Sequence, residues 1–253
     1  MVVTDGLSRG ILVVPLFNEV ERFAPDYWND VAEKALVQLH FVDDGSTDGT
    51  SRMLGEFCRT HGYKLTLLTR NVGKANALRQ GLIAAIGECD GQPVGFVDGD
   101  AVFAVSDICR LRSLMDREDL RSIEAFFSSR VALSGRDIRR RDSRHYIGRA
   151  IATLLSSAYS PMPYDSQSGL KLFRSSQTLL DVLQTPFTTR WFFEMELLIR
   201  WKQKTGTAMR VWEEPVDSWF DAPGSKIGGR QVFQVTNELY QVITQARKSR
   251  PDA

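Results

Sequence analysis

Short apolar runs alternate with helical spacings along the first hundred residues. Gly10 to Pro15 (GILVVP), Leu39 to Asp43 (LHFVD), Lys64 to Thr69 (KLTLLT) and Pro93 to Asp98 (PVGFVD) are aliphatic, β-branched stretches of strand length. Between them, Tyr27 to Leu36, Asp48 to His61 and Gly73 to Ile86 carry apolar residues at the helical period. Met53, Leu54 and Phe57 share one face, and Leu78, Leu82, Ala85 and Ile86 share another. Strand and helix in alternation predict an α/β architecture with a doubly wound, mostly parallel, Rossmann-like sheet.

The pattern after residue 103 is mixed. It predicts helices at Ser106 to Asp116, up to about Ala158, at Ser175 to Leu183 and at Phe193 to Lys202, and a final amphipathic helix at Gln231 to Arg247. Strands are predicted at Ile123 to Ser128, Gly169 to Phe173 and Ala208 to Glu213. With no repeat and no Gly/Ser linker, the chain reads as one domain over 1–253, with a first half (10–103), a second half (104–230) and a C-terminal helix (231–253).

Composition narrows the class. The 253 residues are 43% hydrophobic and 25% charged, which excludes disordered and fibrous chains. A net charge of +1 gives no global field to recruit nucleic acid, so a charge-driven partner needs a local patch. The three cysteines have neither disulfide-framework nor zinc-ligand spacing and read as free thiols. No run reaches the ~18 apolar residues of a membrane span, and the polar start reads as no signal peptide. The expectation is a cytoplasmic protein, peripheral on the membrane at most.

In open parallel sheets, ligands bind beyond the carboxyl ends of the strands. The residues after the four strands are Asn18 and Glu19, Asp43 and Asp44, Asn71 ahead of Gly73 and Lys74, and Asp98-Gly99-Asp100. Carboxylates from three strand ends converge on one crevice, and their repulsion calls for a cation or hydrogen-bond donors. Asp98 and Asp100 flank a glycine, as a pair approaching one hard divalent ion, Mg²⁺ or Mn²⁺, would. Competing motifs fail. Counted from Asp44, the twelfth position of a calcium loop is Gly55, and Leu68 and Ala75 stand where a P-loop needs Gly and Ser or Thr. No G-x-G-x-x-G or G-x-S-x-G is present.

These residues form an ordered series. Pro15-Leu16-Phe17-Asn18-Glu19, Val42 to Thr50 (VDDGSTDGT), Asn71-Val72-Gly73-Lys74 and Val97-Asp98-Gly99-Asp100 resemble the motifs of family 2 inverting glycosyltransferases of GT-A fold. Ser129-Arg130, Asp165 to Phe173 (DSQSGLKLF), Arg190 to Leu197 (RWFFEMEL), Glu214-Pro215-Val216 and Gly224-Ser225-Lys226 are similar to the polyprenyl-phosphate transferases, nearest the dolichyl-phosphate glucosyltransferase branch. The resemblance implies a nucleotide site of Pro15, Phe17, Asn18, Glu19, Asp43, Asp44, Asn71, Lys74 and Asp98. It implies a metal at Asp98 and Asp100, and Glu196 facing the sugar or acceptor. Ser225 and Lys226 would close over the diphosphate, Lys226 with a catalytic role. Phosphate and acceptor contacts fall to Arg130, Arg144, Gln167, Lys171, Ser225 and Lys226. The donor implied is a nucleotide sugar, UDP-glucose ahead of a GDP-sugar, because Ala101-Val102-Phe103 stands where mannosyl-transferring relatives often carry glutamine.

Arg130 to Arg149 holds seven arginines and two aspartates. It runs into Ile147, Ile151, Leu154 and Leu155 at helical spacing, a pattern suited to lying on an anionic membrane through residues 130–160. The arginines have no interleaved aromatics, which disfavours nucleic acid. A hydroxyl acceptor needs a base, for which Asp165 or Glu196 is available; a phosphate acceptor is already anionic and needs only positioning.

Overall fold

The computed structural model describes residues 10–88, 91–139, 142–220 and 229–248, with side chains outside 142–147 and 229–233. In the first half, β1 (Gly10–Leu16), β2 (Val37–Asp43), β3 (Lys64–Leu67) and β4 (Pro93–Val97) alternate with α1 (Pro25–Lys34), α2 (Thr50–His61) and α3 (Lys74–Glu88), as the pattern predicts. The second half supplies α4 (Val105–Leu114), β5 (Ala125–Ser129), β6 (Asp137–Arg139), α5 (Asp142–Ala158), β7 (Leu170–Arg174) and α6 (Gln177–Leu183). It continues with α7 (Phe193–Thr205), β8 (Val211–Pro215), β9 (Ser218–Phe220) and α8 (Gly229–Lys248).

Both halves share one seven-stranded sheet of order β3-β2-β1-β4-β7-β5-β8. Pairing is parallel except at β7, which runs antiparallel to both β4 and β5. That reversal matters for the site. Val97 at the end of β4 pairs with Leu170 at the start of β7, so the loop before β7 joins the rim formed by the carboxyl ends of β1, β2 and β4.

The sheet is covered on both faces. Val13, Val42, Phe96 and Phe127 pack with Leu78 and Leu82 of α3 and with α5 to α8, while Leu12, Val14, Phe41 and Val97 pack against Trp28, Leu54 and Ile108. Burial on both faces explains why the strands read as continuous apolar runs. Gly81 lets α3 settle onto the sheet, because a Cβ there would collide with Val13 and Val42.

Two elements escaped the pattern. β6 and β9 pair in a separate two-stranded sheet, and at three residues each they are too short for periodicity to register. The apolar stripe of α5 also differs from the expected membrane-facing surface. Leu155 is 1% exposed and Ile151 packs against the core, leaving Leu154 exposed, because α5 packs against α8. Among the described residues, no helix is long and apolar enough to cross a membrane.

Candidate active site

The strand ends build a pocket of about 350 Å³ from Pro15, Phe17, Glu19, Asp44, Asn71, Lys74, Asp98 and Asp100. Sequence-predicted residues from four separate segments thus meet. Phe17 is 42% exposed, an aromatic face open for stacking. Asp44 is buried and shapes the pocket by accepting hydrogen bonds from the Val72 and Gly73 amides at 2.7 and 2.9 Å. Burial raises the pKa of Asp44, and those two amide bonds oppose the shift.

Asn18 and Asp43, expected in the nucleotide site, do not line this pocket; they brace its loop. Asp43 accepts from the Ser46 amide and hydroxyl at 3.1 and 2.5 Å and from the Ser51 hydroxyl. Asn18 accepts from the Thr47 amide at 2.8 Å, and its own amide donates to the Ser46 hydroxyl. Asn18 and Ala101 hold φ values of 54° and 55°, left-handed conformations that non-glycine residues adopt at a cost, and both flank the crevice.

The Asp98 amide donates to the Gly169 carbonyl at 2.9 Å, and a Cβ on Gly169 would overlap the Asp98 carboxylate. A side chain at Gly169, just before β7, would thus displace the Asp98 carboxylate from its place. Lys74, the first residue of α3, places its ammonium 2.5 Å from Asp98 Oδ1. Burial works against that charge, but Asp98 and then Glu194 outweigh it and raise the Lys74 pKa. Burial, followed by repulsion from Asp98, raises the pKa of Asp100.

A pair of mutually repelling carboxylates, one already drawing an ammonium, fits a hard divalent cation. Among the described residues no group of three metal-ligating side chains occurs. Two carboxylates suffice for Mg²⁺ or Mn²⁺ when phosphate oxygens and water complete the shell.

Lys74 and Arg190 also line an adjoining chamber of about 510 Å³, with Arg130, Gln167, Trp191 and Glu194. Arg130 and Gln167, expected at a phosphate or acceptor contact, line this chamber. Three other expectations are corrected. Lys171 is fully buried, its ammonium over the rings of Phe96 and Phe127, donating to the Ser168 carbonyl and 3.5 Å from Glu194. It does not line the chamber, and Glu194, which does, is the charged partner beside it. Asp165 reaches the cavity next to the chamber, yet its carboxylate accepts from Arg130 Nε and a terminal guanidinium nitrogen at 2.8 Å each and from the Arg130 amide. It orients Arg130 instead of standing ready as a base.

Glu196 turns away from the crevice. It is 1% exposed and accepts from the Thr188 and Thr189 amides, the Thr189 hydroxyl and Arg200 at 2.6 Å. Glu196→Ala is expected to cost about 1–3 kcal/mol of stability by leaving the Thr188 and Thr189 amides without their acceptor, with turnover by the folded protein close to wild type. Urea denaturation and turnover on the same samples check this; a normal midpoint with lost turnover would return Glu196 to the active site.

Glu194 and Arg190 are the residues that motif reading did not assign. Residues two apart on a helix point about 200° apart, so either Glu194 or Glu196 faces the crevice, and the helix phase is set by packing. Glu194 is 5% exposed, its Oε2 finds no partner among the described residues, and burial raises its pKa against the pull of Lys171 and Lys74. Arg190 lies against Gly73, and its amide is held by Glu238 of α8 at 2.9 Å. Ser225 and Lys226 lie outside the described residues, as does the Arg144 side chain.

Comparison with known proteins agrees with this arrangement. Residues 11–168 match the model of glycosyl transferase family 2. The chain is 25% identical to a dolichyl-phosphate beta-glucosyltransferase of Saccharomyces cerevisiae over 236 residues, covering 85% of this chain and 68% of that protein. Among solved structures, a mannosyltransferase from Pyrobaculum calidifontis in complex with GDP-Man and Mn²⁺ superposes with a TM-score of 0.62 at 19% identity, over 97% of this chain and 65% of that one. Glucosyl-3-phosphoglycerate synthase from Mycobacterium tuberculosis, in complex with Mn²⁺, UDP and glucosyl-3-phosphoglycerate, gives 0.54 at 20% identity, over 97% and 82%. This chain spans about two thirds of the length of the yeast protein and of the mannosyltransferase. With a seven-stranded GT-A sheet, an acidic rim at its carboxyl edge and a family match over most of its length, the chain belongs to glycosyl transferase family 2, the sugar-transferring enzymes.

Proposed function

We propose that the chain is a metal-dependent inverting glycosyltransferase that moves a hexose, glucose from UDP-glucose, onto a polyprenyl phosphate at the membrane surface. The observation that carries this reading is the join between the two compartments. Carboxylates for a divalent ion lie on one side, an oriented Arg130 lies on the other, and Lys74 and Arg190 line both. The glucosyltransferase likeness of the yeast relative and the UDP in the mycobacterial neighbour support the donor; the dolichyl phosphate in the yeast relative's name supports the acceptor.

Each residue then has a chemical task. Phe17 stacks on the base, and Asp44 keeps the 71–73 turn in place around it. Asp98 and Asp100 would hold Mg²⁺ or Mn²⁺, which supplies charge stabilisation for the departing diphosphate. Lys74 at the α3 N-terminus adds a second positive contribution where that charge develops. Arg130, locked by Asp165, orients the incoming phosphate. Attack from the face opposite the leaving nucleotide inverts the anomeric centre, and an anionic phosphate nucleophile needs no base.

Glu194 favours a second reading. A buried carboxylate with an unpartnered oxygen and a raised pKa suits a base for a saccharide or small-molecule hydroxyl. A thermal-shift series with UDP, GDP, dTDP and their hexose conjugates, with and without Mn²⁺, is expected to show a metal-dependent rise for UDP and UDP-glucose. Transfer assays then follow with undecaprenyl phosphate and with sugar hydroxyl acceptors. A rise for GDP alone removes the donor assignment, and transfer to hydroxyls alone, abolished in Glu194→Gln, replaces the phosphate reading with the second one.

A further inference from the structure

Beyond the chamber, the crevice continues into a third cavity of about 170 Å³ between α5 and α8. Its walls are mostly apolar, with Ile151, Ala152 and Leu155 on α5, Val235 on α8, and Phe192, while Arg130, Arg149, Asp165, Ser166 and Gln167 are its polar members. Arg130, Gln167 and Trp191 line both this cavity and the chamber, so the two are contiguous. The chemistry therefore changes in order along one path, from acidic rim to cationic chamber to apolar end. Arg130 stands at the second junction, fixed by Asp165 and stacked 5.1 Å over the Trp219 ring, and Arg149 lies 4.0 Å over the Tyr164 ring at the cavity wall.

We propose that this cavity is the subsite for the isoprene unit that bears the acceptor's phosphate, so that the protein and not the bilayer holds the first unit of the chain. The inference rests on the polyprenyl-phosphate reading above. Size supports it: an apolar cavity of roughly 150 Å³ holds a six-carbon ring, so this one holds the five carbons of a single isoprene unit with little room for a second. Chemistry supports it as well. A hydroxylated group placed among Ile151, Leu155, Phe192 and Val235 would leave its hydroxyls unpaired, whereas a branched hydrocarbon gains from leaving water. Placing the apolar unit next to Arg130 sets the phosphate at the chamber and its oxygen toward the donor, before any membrane contact is made.

The test uses the full chain with Mn²⁺, the donor found to bind, and farnesyl phosphate, which is short enough to be delivered without a bilayer. Ala152→Phe and Val235→Phe fill the cavity from opposite helices. Each is expected to raise KM for farnesyl phosphate about tenfold or more, by occupying the volume the isoprene unit would take, with nucleotide affinity unchanged by calorimetry. Ala152→Leu, a smaller insertion, is used if either phenylalanine variant loses nucleotide binding. Wild-type KM in both filled variants, with transfer to farnesyl and undecaprenyl phosphate intact, would overturn the subsite while leaving the proposed function standing. Absence of transfer to any polyprenyl phosphate by the wild type would overturn both.

Discussion

Asp100→Asn is expected to remove Mn²⁺-dependent nucleotide binding and to lower kcat/KM by about 10³-fold or more, the scale set by losing the group that stabilises a developing leaving-group charge. The same substitution is expected to raise the melting temperature of the metal-free protein. Burial, and after it Asp98, raises the pKa of Asp100, so keeping it ionised costs folding free energy at neutral pH. A raised carboxylate pKa makes the wild type gain stability as pH falls from neutral through that folded value. Asp100→Asn lacks that share of the gain. The gain is modest because the side chain still meets solvent. Calorimetric titration of UDP with and without Mn²⁺, with melting curves between neutral and mildly acidic pH, measures both effects. Unchanged metal-dependent affinity would remove Asp100 from the metal site.

The largest loss of stability is expected at Lys171, far from where a phosphate contact belongs. Lys171→Met leaves Glu194 buried with its main compensating charge gone, which costs about 3–5 kcal/mol. For a chain of this size, each kcal/mol lowers the melting temperature by about 2–4 °C. Burial lowers the pKa of Lys171 and raises that of Glu194, and their mutual attraction is the largest influence opposing both shifts. Adding Glu194→Gln to Lys171→Met is therefore expected to restore at least half of the loss, a coupling that two independent sites would not produce. Urea denaturation of the single and double variants tests this; a Lys171→Met protein as stable as wild type would show that no buried ion pair is present.

These two residues mark the limits of what motifs convey. Asp98-Gly99-Asp100 was legible because a strand end followed by two carboxylates around a glycine has few other uses when other acidic strand ends lie beside it. Lys171 was misread for a physical reason. On β7, successive side chains alternate between faces, and the sequence marks neither which face is the core nor that a lysine can lie across Phe96 and Phe127. Asp165 carries the same lesson, because a carboxylate near a motif looks like a base until its arginine partner is seen.

The sequence by itself determined the alternation of strands and helices and the acidic residues at the strand ends, since these follow from local period and from residues adjacent in the chain, and its ordered motifs carried the resemblance to the family. Only the tertiary structure decided which of two glutamates on α7 faces the crevice, that β7 runs backwards to bring Gly169 against Asp98, and that α5 turns its apolar stripe inward against α8. Each of those outcomes depends on how distant segments pack, and packing between elements far apart in the chain leaves no mark in the local pattern of either one.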